Sequence, residues 1–477
     1  MISRRNFLKK TATTGAATFA LGGFLARAYG RAEAIGPLAA SALPETDRVL
    51  VLVQLDGGND GLNTLVNYEN DAYYTARPTL NLPKNRVLRI NETLGFHPEL
   101  KDLKNLYDEG LLTAIQGIGY PNPDRSHFRS TDIWLSASDS DEYLSTGWLG
   151  RYLETQFPEF PDKIPEHPLA VDIGPVVSLS LLGKNGALGI ALRNPGTFFN
   201  LVDQGNKIID KNKIPTPAGY ELEFIRQVNF ESLQYASQVK EAAKKGKNKI
   251  TYPGTGLGSR LSLVSRLIHG GLRSRVYLVS QRGYDTHANQ LARHTALLRE
   301  LNDAVAAFQN DMERLGLKDR VLGLTISEFG RRVKENGSAG TDHGTAAPLF
   351  VFGPAVKGGI LGASPNFNNL DNRGDFFHDY DFRQIYASIL NQWFGVSRDI
   401  VRLVFPMDPA LLPLLHTVPY LETADFNRDG KVDFDDFVAF ARGFGKSDPT
   451  FDLDGDGRVG FSDFVAFARA FGTRREP

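Results

Sequence analysis

Short apolar runs recur along the chain and alternate with longer amphipathic stretches. A continuous apolar run bounded by glycine, proline or polar residues is typical of a strand that is buried on both faces of a parallel sheet. The predicted strands cover residues 48–55, 112–116, 275–281, 321–327 and 348–353, and the clearest predicted helices cover 99–108, 126–137, 258–268 and 288–315. Strands that alternate with helices predict an α/β fold with a doubly wound, mostly parallel sheet.

The first predicted strand opens into a polar, glycine-rich loop. Asp56 closes the strand, and Gly57 and Gly58 follow it. In open α/β sheets, ligands bind beyond the carboxyl ends of the strands. We therefore expect the functional residues of this chain to gather at that edge of the sheet.

Two later segments depart from the α/β pattern. The stretch 154–255 is richer in glycine, proline and lysine, and we interpret it as an insertion with a long helix near 220–245. An amphipathic helix at 385–394 ends at Gly395, and several prolines follow it. We expect a main α/β domain at 35–415, a linker at 416–420 and a small all-α domain at 421–474.

The N-terminal segment 1–34 has the features of an export signal peptide. Arg4 and Arg5 lie in a basic stretch that precedes a mildly apolar run rich in glycine and alanine. This segment resembles a twin-arginine signal peptide, and small residues at 26 and 28, or at 32 and 34, offer alternative cleavage sites. The resemblance implies a periplasmic or secreted protein that folds, and takes up any metal, before it crosses the membrane.

Charge and cysteine content exclude several classes of protein and site. Lys+Arg 54 and Asp+Glu 55 give a net charge of -1, so no global field recruits nucleic acid. With Cys 0, the chain has no disulfide, no thiolate metal site and no cysteine nucleophile. No later apolar run approaches the roughly 18 residues of a spanning helix, so we expect no stable membrane insertion after signal cleavage.

Two acidic loops near the C-terminus repeat the spacing of a calcium-binding loop. Hard Ca²⁺ takes roughly six to eight oxygen ligands from a tightly wound loop with a glycine at its turn. The expected ligands are Asp425, Asn427, Asp429, Lys431, Asp433 and Asp436 in the first loop and Asp452, Asp454, Asp456, Arg458 and Asp463 in the second. Lysine and arginine would contribute backbone carbonyl groups, and we expect two Ca²⁺ ions.

Each acidic loop is followed by a near-identical helical segment, at 437–444 and at 464–471, so the unit is a tandem duplication. A proline a few residues upstream of each loop breaks any entering helix. The module resembles a type I dockerin, although position 12 is aspartate in both loops, and this resemblance implies a cohesin-like protein receptor. We interpret Phe437, Phe440 and Phe444 as core between the two helices.

Several short motifs of the main domain come in a recognisable order. They are Phe96-His97-Pro98, the stretch Tyr120 to Arg129, Gly283-Tyr284-Asp285-Thr286-His287, the stretch Ser327 to Arg332, and Thr341-Asp342-His343-Gly344. Over residues 48–400 the chain resembles the exported family called domain of unknown function 1501, which itself is similar to a branch of the alkaline phosphatase and sulfatase superfamily. The resemblance implies an alkaline phosphatase-like fold in which one or two divalent metals clamp a phosphate or sulfate ester.

The same resemblance implies metal ligands near the strand ends. They are Asp56, Asp285, His287, Glu328, Asp342 and His343. Glu328 stands where the superfamily has aspartate, and Phe329 stands where it has histidine, so either a second metal is weakened or Asp342 and His343 form that pair. Imidazole and carboxylate ligands suit Zn²⁺ or Mn²⁺, and we expect one or two such ions.

The candidate catalytic residues lie at the start of the helix predicted at 126–137. The Ser126 hydroxyl and the free amides of that first turn can face an anionic group, although serine is also a preferred helix cap. Arg125 and Arg129 are candidates to hold ester oxygens in fork geometry, and His127 is a candidate ligand or acid. The C/S-x-P-x-R pattern of sulfatases is absent, which argues against a formylglycine nucleophile.

Together these features predict an exported, metal-dependent hydrolase that acts on a small anionic ester of phosphate or sulfate and docks to a partner through its calcium module. The alternative is a non-catalytic, metal-stabilised surface or scaffold protein with a degenerate site. The departure at Glu328 and Phe329 is the feature that favours this alternative.

Replacing both Arg4 and Arg5 by lysine tests the export prediction. We expect precursor to accumulate in the cytoplasm, because lysine lacks the planar guanidinium group by which the export receptor recognises the arginine pair. Immunoblotting of cell fractions measures the distribution, and normal export of the doubly substituted chain would show that the twin-arginine route is wrong.

Overall fold

The computed structural model describes residues 47–192, 235–416 and most of 424–472, where positions 428, 430, 449 and 454–457 are excepted. It also describes the backbone of two short segments, 17–21 and 24–28, which pair as antiparallel strands. The predicted twin arginines, the whole segment 193–234 and the linker positions 417–420 lie outside the described residues.

The described strands are numbered in chain order. They are β1 Ala17–Leu21, β2 Phe24–Ala28, β3 Val49–Asp56, β4 Leu65–Val66, β5 Leu88–Arg89, β6 Gly95–Phe96, β7 Leu112–Gly119, β8 Ala170–Asp172, β9 Leu182–Gly183, β10 Gly186–Ala187, β11 Ile190–Ala191, β12 Val276–Arg282, β13 Val321–Ile326, β14 Ala347–Phe352, β15 Gly359–Leu361 and β16 Tyr380–Asp381. The five strands predicted from apolar runs are β3, β7, β12, β13 and β14, and all five are confirmed.

The helices are also numbered in chain order. They are α1 Gly61–Thr64, α2 Asp71–Ala76, α3 Lys101–Asp108, α4 His127–Ser136, α5 Trp148–Gln156, α6 235–245, α7 Gly256–His269, α8 Gln290–Arg314, α9 Phe382–Ser388, α10 Arg398–Val404, α11 Phe434–Gly443 and α12 Phe461–Ala470. A π-helical turn, Ile389–Trp393, continues α9. The predicted long helix near 220–245 is described only over α6.

A nine-stranded sheet forms the centre of the main domain, in the order β11-β8-β12-β3-β13-β14-β7-β15, with β16 also paired to β7. All its pairings are parallel except those of β14, which runs antiparallel to both neighbours. The prediction of a mixed α/β fold with a mostly parallel sheet is therefore confirmed.

Strand β3 shows why a continuous apolar run predicted a central strand. Leu50 and Leu52 belong to the core on one face of the sheet, whereas Val49, Val51 and Val53 belong to the core on the other. Side chains alternate between the faces of a strand, so a strand covered on both faces must be apolar at every position.

The register of the parallel strands brings several polar segments to one edge of the sheet. Asp56, at the end of β3, lies opposite Arg282, at the end of β12, and Ile326 of β13 lies opposite Gln54. Because β14 is antiparallel to both β13 and β7, the carboxyl end of β7 also lies at this edge. The edge therefore collects the loops that follow β3, β7, β12 and β13.

Two glycines allow the loop after β3 to approach its neighbours closely. Gly57 has a φ of +123°, and a Cβ atom there would lie 2.3 Å from the backbone nitrogen of Asp285. Gly58 has a φ of +80°, and a Cβ there would lie 2.4 Å from the Phe329 ring. Both positions need glycine for conformation and for space.

A buried ion pair holds the next turn of the same loop. Arg77 donates to both carboxylate oxygens of Asp60, at 2.7 and 3.1 Å, and to the backbone oxygens of Arg332 and Val333. Both paired side chains are almost fully buried. Burial opposes ionisation of Asp60, but the charge and hydrogen bonds of Arg77 outweigh it and lower the pKa of that carboxyl.

The C-terminal helices α11 and α12 pack on each other through Phe440 and Phe467, whose ring centroids lie 5.4 Å apart. Both rings belong to a small separate core, and Phe437 packs against it. Phe444 is half exposed, so the expected core position holds for Phe440 and Phe437 but is wrong for Phe444. Among the described residues, no helix is long and apolar enough to cross a membrane.

Substitution of Arg77 by methionine should destabilise the main domain by about 3–5 kcal/mol, because it leaves the Asp60 carboxylate buried without its charged partner. Urea denaturation followed by tryptophan fluorescence measures the change in the free energy of unfolding. Arg320→Met, which removes a more exposed pair with Asp47, serves as the control and should cost about 1 kcal/mol or less. Equal losses for the two variants would contradict a structural role of the buried pair.

Candidate functional site

Four of the predicted site residues meet beyond the carboxyl ends of β7, β12 and β13. They are His127 at the start of α4, Asp285 and His287 in the loop after β12, and His343 in the segment before β14. One donor atom each from His127, Asp285 and His343 forms a group within 4.8 Å. The side chains are part-buried to exposed, so the group is open to solvent.

His127 presents one ring nitrogen to this group. Its Nδ1 lies 2.8 Å from Oε1 of the buried carboxylate of Glu328. Its Nε2 is buried, lies 3.4 Å from Oδ1 of Asp285, and has no hydrogen-bond partner among the described residues. The hydrogen bond to Glu328 raises the pKa of His127, which favours the imidazolium. In the neutral ring, the proton on Nδ1 faces Glu328 and Nε2 carries the lone pair.

The other two histidines are held in the same way. Nδ1 of His343 donates to the backbone oxygen of Arg125 at 2.7 Å, because a carbonyl can only accept. Nδ1 of His287 lies 3.1 Å from Oδ1 of Asp342. In each ring the nitrogen that remains is therefore Nε2, and burial lowers the pKa of His343, which favours its neutral form.

The three Nε2 atoms converge on one carboxylate oxygen, Oδ1 of Asp285. The separations are 3.4 Å for His127, 3.1 Å for His287 and 3.3 Å for His343. The Nε2 atoms of His287 and His343 lie only 2.9 Å apart. Two lone pairs at this distance repel each other unless a proton or a cation lies between them.

The grouped donors His127, Asp285 and His343 could hold a divalent metal. With Zn–N distances of about 2.0–2.1 Å, two donor atoms of a tetrahedral site lie roughly 3.3 Å apart. Oδ1 of Asp285 lies at similar distances, 3.4 and 3.3 Å, from Nε2 of His127 and of His343. Metal-bound histidines commonly donate their second nitrogen to a carboxylate or a backbone carbonyl, as all three do here. His127, which the sequence suggested as either ligand or acid, is placed as a donor.

Arg331 fixes the ionised state of Asp285. Its guanidinium is fully buried and donates to Oδ1 of Asp285 at 2.8 Å. Burial opposes ionisation of Asp285, but the hydrogen bond and charge of Arg331 outweigh it and lower its pKa to about 2. The sequence analysis did not select Arg331 as functional, although it lies in one of the quoted motifs; no local pattern marks an arginine whose partner is remote in sequence.

Two carboxylates expected as direct ligands lie behind the histidines instead. Glu328 holds His127 and also accepts from the backbone nitrogen of Gly57 at 2.9 Å. Asp342 holds His287 and accepts from the side chain of Asn336. Because each carboxylate holds a histidine ring, both act as positioning residues in this structure.

Phe329 occupies the position where the resemblance implies a histidine. Its ring centroid lies 4.9 Å from that of His127 and 4.6 Å from that of His343. The phenyl ring therefore packs against two of the imidazoles and cannot itself bind a metal. Among the described residues, one cluster of candidate metal donors is present.

Asp56 lies beside the donor group but outside it. Its carboxylate is 3.5 Å from Nε of Arg282, and its backbone oxygen accepts from Gly283 and Tyr284. Burial, and then the charge of Glu328, raise the pKa of Asp56. The expected ligation by Asp56 is not seen in this arrangement.

The residues expected to act on the ester have different surroundings. Ser126 is exposed at the N-cap of α4, its hydroxyl makes no capping bond, and it is flanked by Arg125 and His127, which both contact the donor group. Arg125 donates to Asp371 and Asp375. These contacts occupy its guanidinium, which is therefore not available to bind the oxygens of an ester.

Arg129 has an equally complete set of structural partners. Its buried guanidinium donates to the backbone oxygens of Asp139, Ser140 and Glu142. The expectation that Arg125 and Arg129 hold ester oxygens is therefore corrected: their charges are used to fix loops around α4.

In the first acidic loop of the C-terminal part, the side chains of the first and last expected ligands, Asp425 and Asp436, are buried. Asp436 is fully buried, and its carboxylate accepts from the backbone nitrogens of Phe426, Asn427 and Asp433. The backbone N–H of Asp429 donates to the side-chain oxygens of Asp425 and Asn427. These contacts wind the loop tightly, as a calcium loop requires, and occupancy by calcium stays a prediction.

The second loop repeats the arrangement where it is described. The buried carboxylate of Asp463 accepts from the backbone nitrogens of Leu453 and Gly460, both at 2.6 Å. Asp454 and Asp456 lie outside the described residues. The equivalent contacts of Asp436 and Asp463 show that the duplication in sequence is also a duplication in structure.

Comparison with known families gives one match. A family described as "Protein of unknown function (DUF1501)" matches residues 220–399, a segment that contains Asp285, His287 and His343. The expected resemblance is supported over this segment. Among curated proteins, no sequence matches the chain.

Several solved structures are distantly similar. A protein in the alkaline phosphatase superfamily from Vibrio parahaemolyticus is 10% identical over 75% of this chain and 71% of its own, with a TM-score of 0.29. The sulfatase PsFucS1 from Pseudoalteromonas sp. is 13% identical over 76% and 70%, with a TM-score of 0.33. The C-terminal periplasmic domain of EcEptC from Escherichia coli, in complex with Zn, is 10% identical over 82% and 99%, with a TM-score of 0.33. No activity is carried over from similarity this low.

Asp425→Ala and Asp452→Ala should each reduce the calcium bound per chain from two ions to one, because each removes the first ligand of one loop. Isothermal titration of the full chain with Ca²⁺ measures the stoichiometry. Asp435→Ala is the matched control, since Asp435 is exposed beside the first loop and is not a predicted ligand. An unchanged stoichiometry in both loop variants would show that the loops do not bind calcium.

Proposed function

We propose that the chain is an exported, metal-dependent hydrolase of phosphate or sulfate esters, with a calcium-binding docking module at its C-terminus. The observation that carries the proposal is the orientation of three imidazoles. Each has Nδ1 held by an oxygen acceptor and directs Nε2 to Asp285. Such a set is suited to Zn²⁺ or Mn²⁺.

The metal would be held by His127, His287, His343 and Asp285. When bound, a divalent ion of this kind supplies Lewis acidity to an ester oxygen. The protein supplies the fixed directions of the ligands: Glu328 and Asp342 hold two of the rings, and Arg331 holds the carboxylate.

Ser126 is the proposed nucleophile. It lies between Arg125, whose backbone oxygen accepts from His343, and His127, whose side chain belongs to the donor group. It is the N-cap of the ten-residue helix α4, and its hydroxyl makes no capping hydrogen bond. The amide groups of the first turn of α4 lack helical partners and can stabilise negative charge on an ester. Ser126 therefore combines exposure with a position beside the site.

The C-terminal module is proposed to bind two Ca²⁺ ions and a cohesin-like receptor, and the chain is proposed to leave the cytoplasm by the twin-arginine route. The tightly wound loops around Asp436 and Asp463 support the calcium part. The basic segment with Arg4 and Arg5 supports the export part.

One observation favours the alternative, a non-catalytic protein that binds metal for stability. Arg125 and Arg129, the arginines nearest to Ser126 in sequence, are engaged in structural contacts. Without these two arginines, the site depends more strongly on its metal to balance the charge of a phosphate or sulfate group. Measurement of turnover decides between the two functions.

The test combines metal analysis with hydrolysis of 4-nitrophenyl phosphate, bis(4-nitrophenyl) phosphate and 4-nitrophenyl sulfate. His343→Ala should lose bound metal and turnover together. Ser126→Ala should retain the metal and lose turnover by about 100-fold or more, because only a group that reacts with the ester is removed. His269→Ala, at the end of α7, is the matched histidine control and should retain both.

Each outcome has a separate meaning. If His343→Ala binds as much metal as the unmodified chain, the donor set is wrong. If metal is bound but none of the three esters is hydrolysed, the non-catalytic alternative replaces the hydrolase. If Ser126→Ala turns over normally, the hydrolase stands and its nucleophile lies elsewhere.

A further inference from the structure

A recess of about 490 Å³ opens beside the candidate metal donors. It lies between α1, the amino end of β14, the segment 363–369 and the loop before β16. Arg331 lines the recess and also donates to Asp285, so the recess and the donor group share one residue. Its volume falls within the range of roughly 300–1,000 Å³ that is usual for small-molecule sites.

The polar groups that line the recess are mostly uncharged. Gln116, Ser364, Asn366 and Asn369 supply amides and a hydroxyl. The charge of Arg331 is matched by Asp285 and by several backbone oxygens. Since no unmatched cation lines the recess, it is poorly suited to an anionic group and well suited to neutral hydroxyl groups.

Two of the lining groups lack partners. Gln116 is 2% exposed, and its Nε2 has no hydrogen-bond partner among the described residues. This donor can hydrogen-bond a water or a ligand at the wall of the recess. The carboxylate of Asp379, which lies against Gly117, accepts no hydrogen bond from the described residues, whereas its backbone N–H donates to the backbone oxygen of Gly117.

An aromatic surface completes the lining. Phe377 lines the recess and is 54% exposed, while its neighbour Phe376 is fixed by an edge contact with Phe367 at 5.2 Å. An exposed aromatic ring beside planar amides and a carboxylate can cover the C–H face of a saturated ring while the polar groups bind its hydroxyls. Water alone would satisfy the amides but would leave the aromatic ring uncovered.

We infer that this recess binds a neutral, polyhydroxylated ring, which makes the saccharide portion of a sugar ester the class of substrate presented to the metal donors. The assignment of a substrate rests on the proposed function. Binding of the saccharide itself does not, because no candidate metal ligand lines the recess.

The test measures binding of neutral hexoses and disaccharides to the full chain by ligand-observed NMR and calorimetry, before and after removal of metal with a chelator. We expect binding that survives chelation. Phe377→Ala and Asp379→Asn should each weaken it by about tenfold, as expected when a stacking face or a charged acceptor is lost.

Matched substitutions outside the recess serve as controls. Phe434→Ala removes an exposed ring of the C-terminal module, and Asp108→Asn removes a charge at the end of α3, so both should leave saccharide affinity unchanged. Equal losses in recess and control variants would overturn the inference, and so would the absence of binding by every saccharide. Ester hydrolysis without saccharide binding would overturn it while leaving the proposed function in place.

Discussion

The geometry of the candidate site depends on the hydrogen bonds of one buried guanidinium. Arg331 donates to the backbone oxygens of Gly57 and Gly58, after β3, and of Tyr284, after β12. It also donates to the backbone oxygen of Thr341 and to the carboxylate of Asp285. Three loops that start from different strands are thereby fixed to one rigid, planar group, which sets the distances between the residues they carry.

This arrangement gathers three imidazoles around one carboxylate oxygen. Arg331 keeps Asp285 ionised, separate acceptors hold Nδ1 of each ring, and the Nε2 atoms of His287 and His343 lie 2.9 Å apart. Contacts outside the group, such as that of the buried Glu328 with His127, hold the rings in place. If these residues bind a metal, as proposed, metal binding and stability should be linked.

The amino-acid sequence predicts the fold better than it predicts the roles within the site. Apolar runs located the five main strands, because burial on both faces of the sheet leaves a local signal. The antiparallel direction of β14 has no such signal. Asp285, His287 and His343 were selected through motifs, and the structure brings them together. The positioning role of Glu328, by contrast, depends on His127, which is remote in sequence. Arg331 was missed for the same reason, since its partners come from three separate loops.

The arginines around the candidate site are neutralised by structural partners, which limits the groups that could bind an anion. Arg125 and Arg129 are neutralised by structural partners, and Arg331 is matched by Asp285. An ester anion therefore finds no free arginine among these three, and under the proposed function a divalent ion held by the histidines would supply positive charge to it. The recess beside it, lined mostly by uncharged polar groups, would then bind the uncharged portion of the same molecule. Recognition of the anion would depend on metal, and recognition of the rest of the substrate would not.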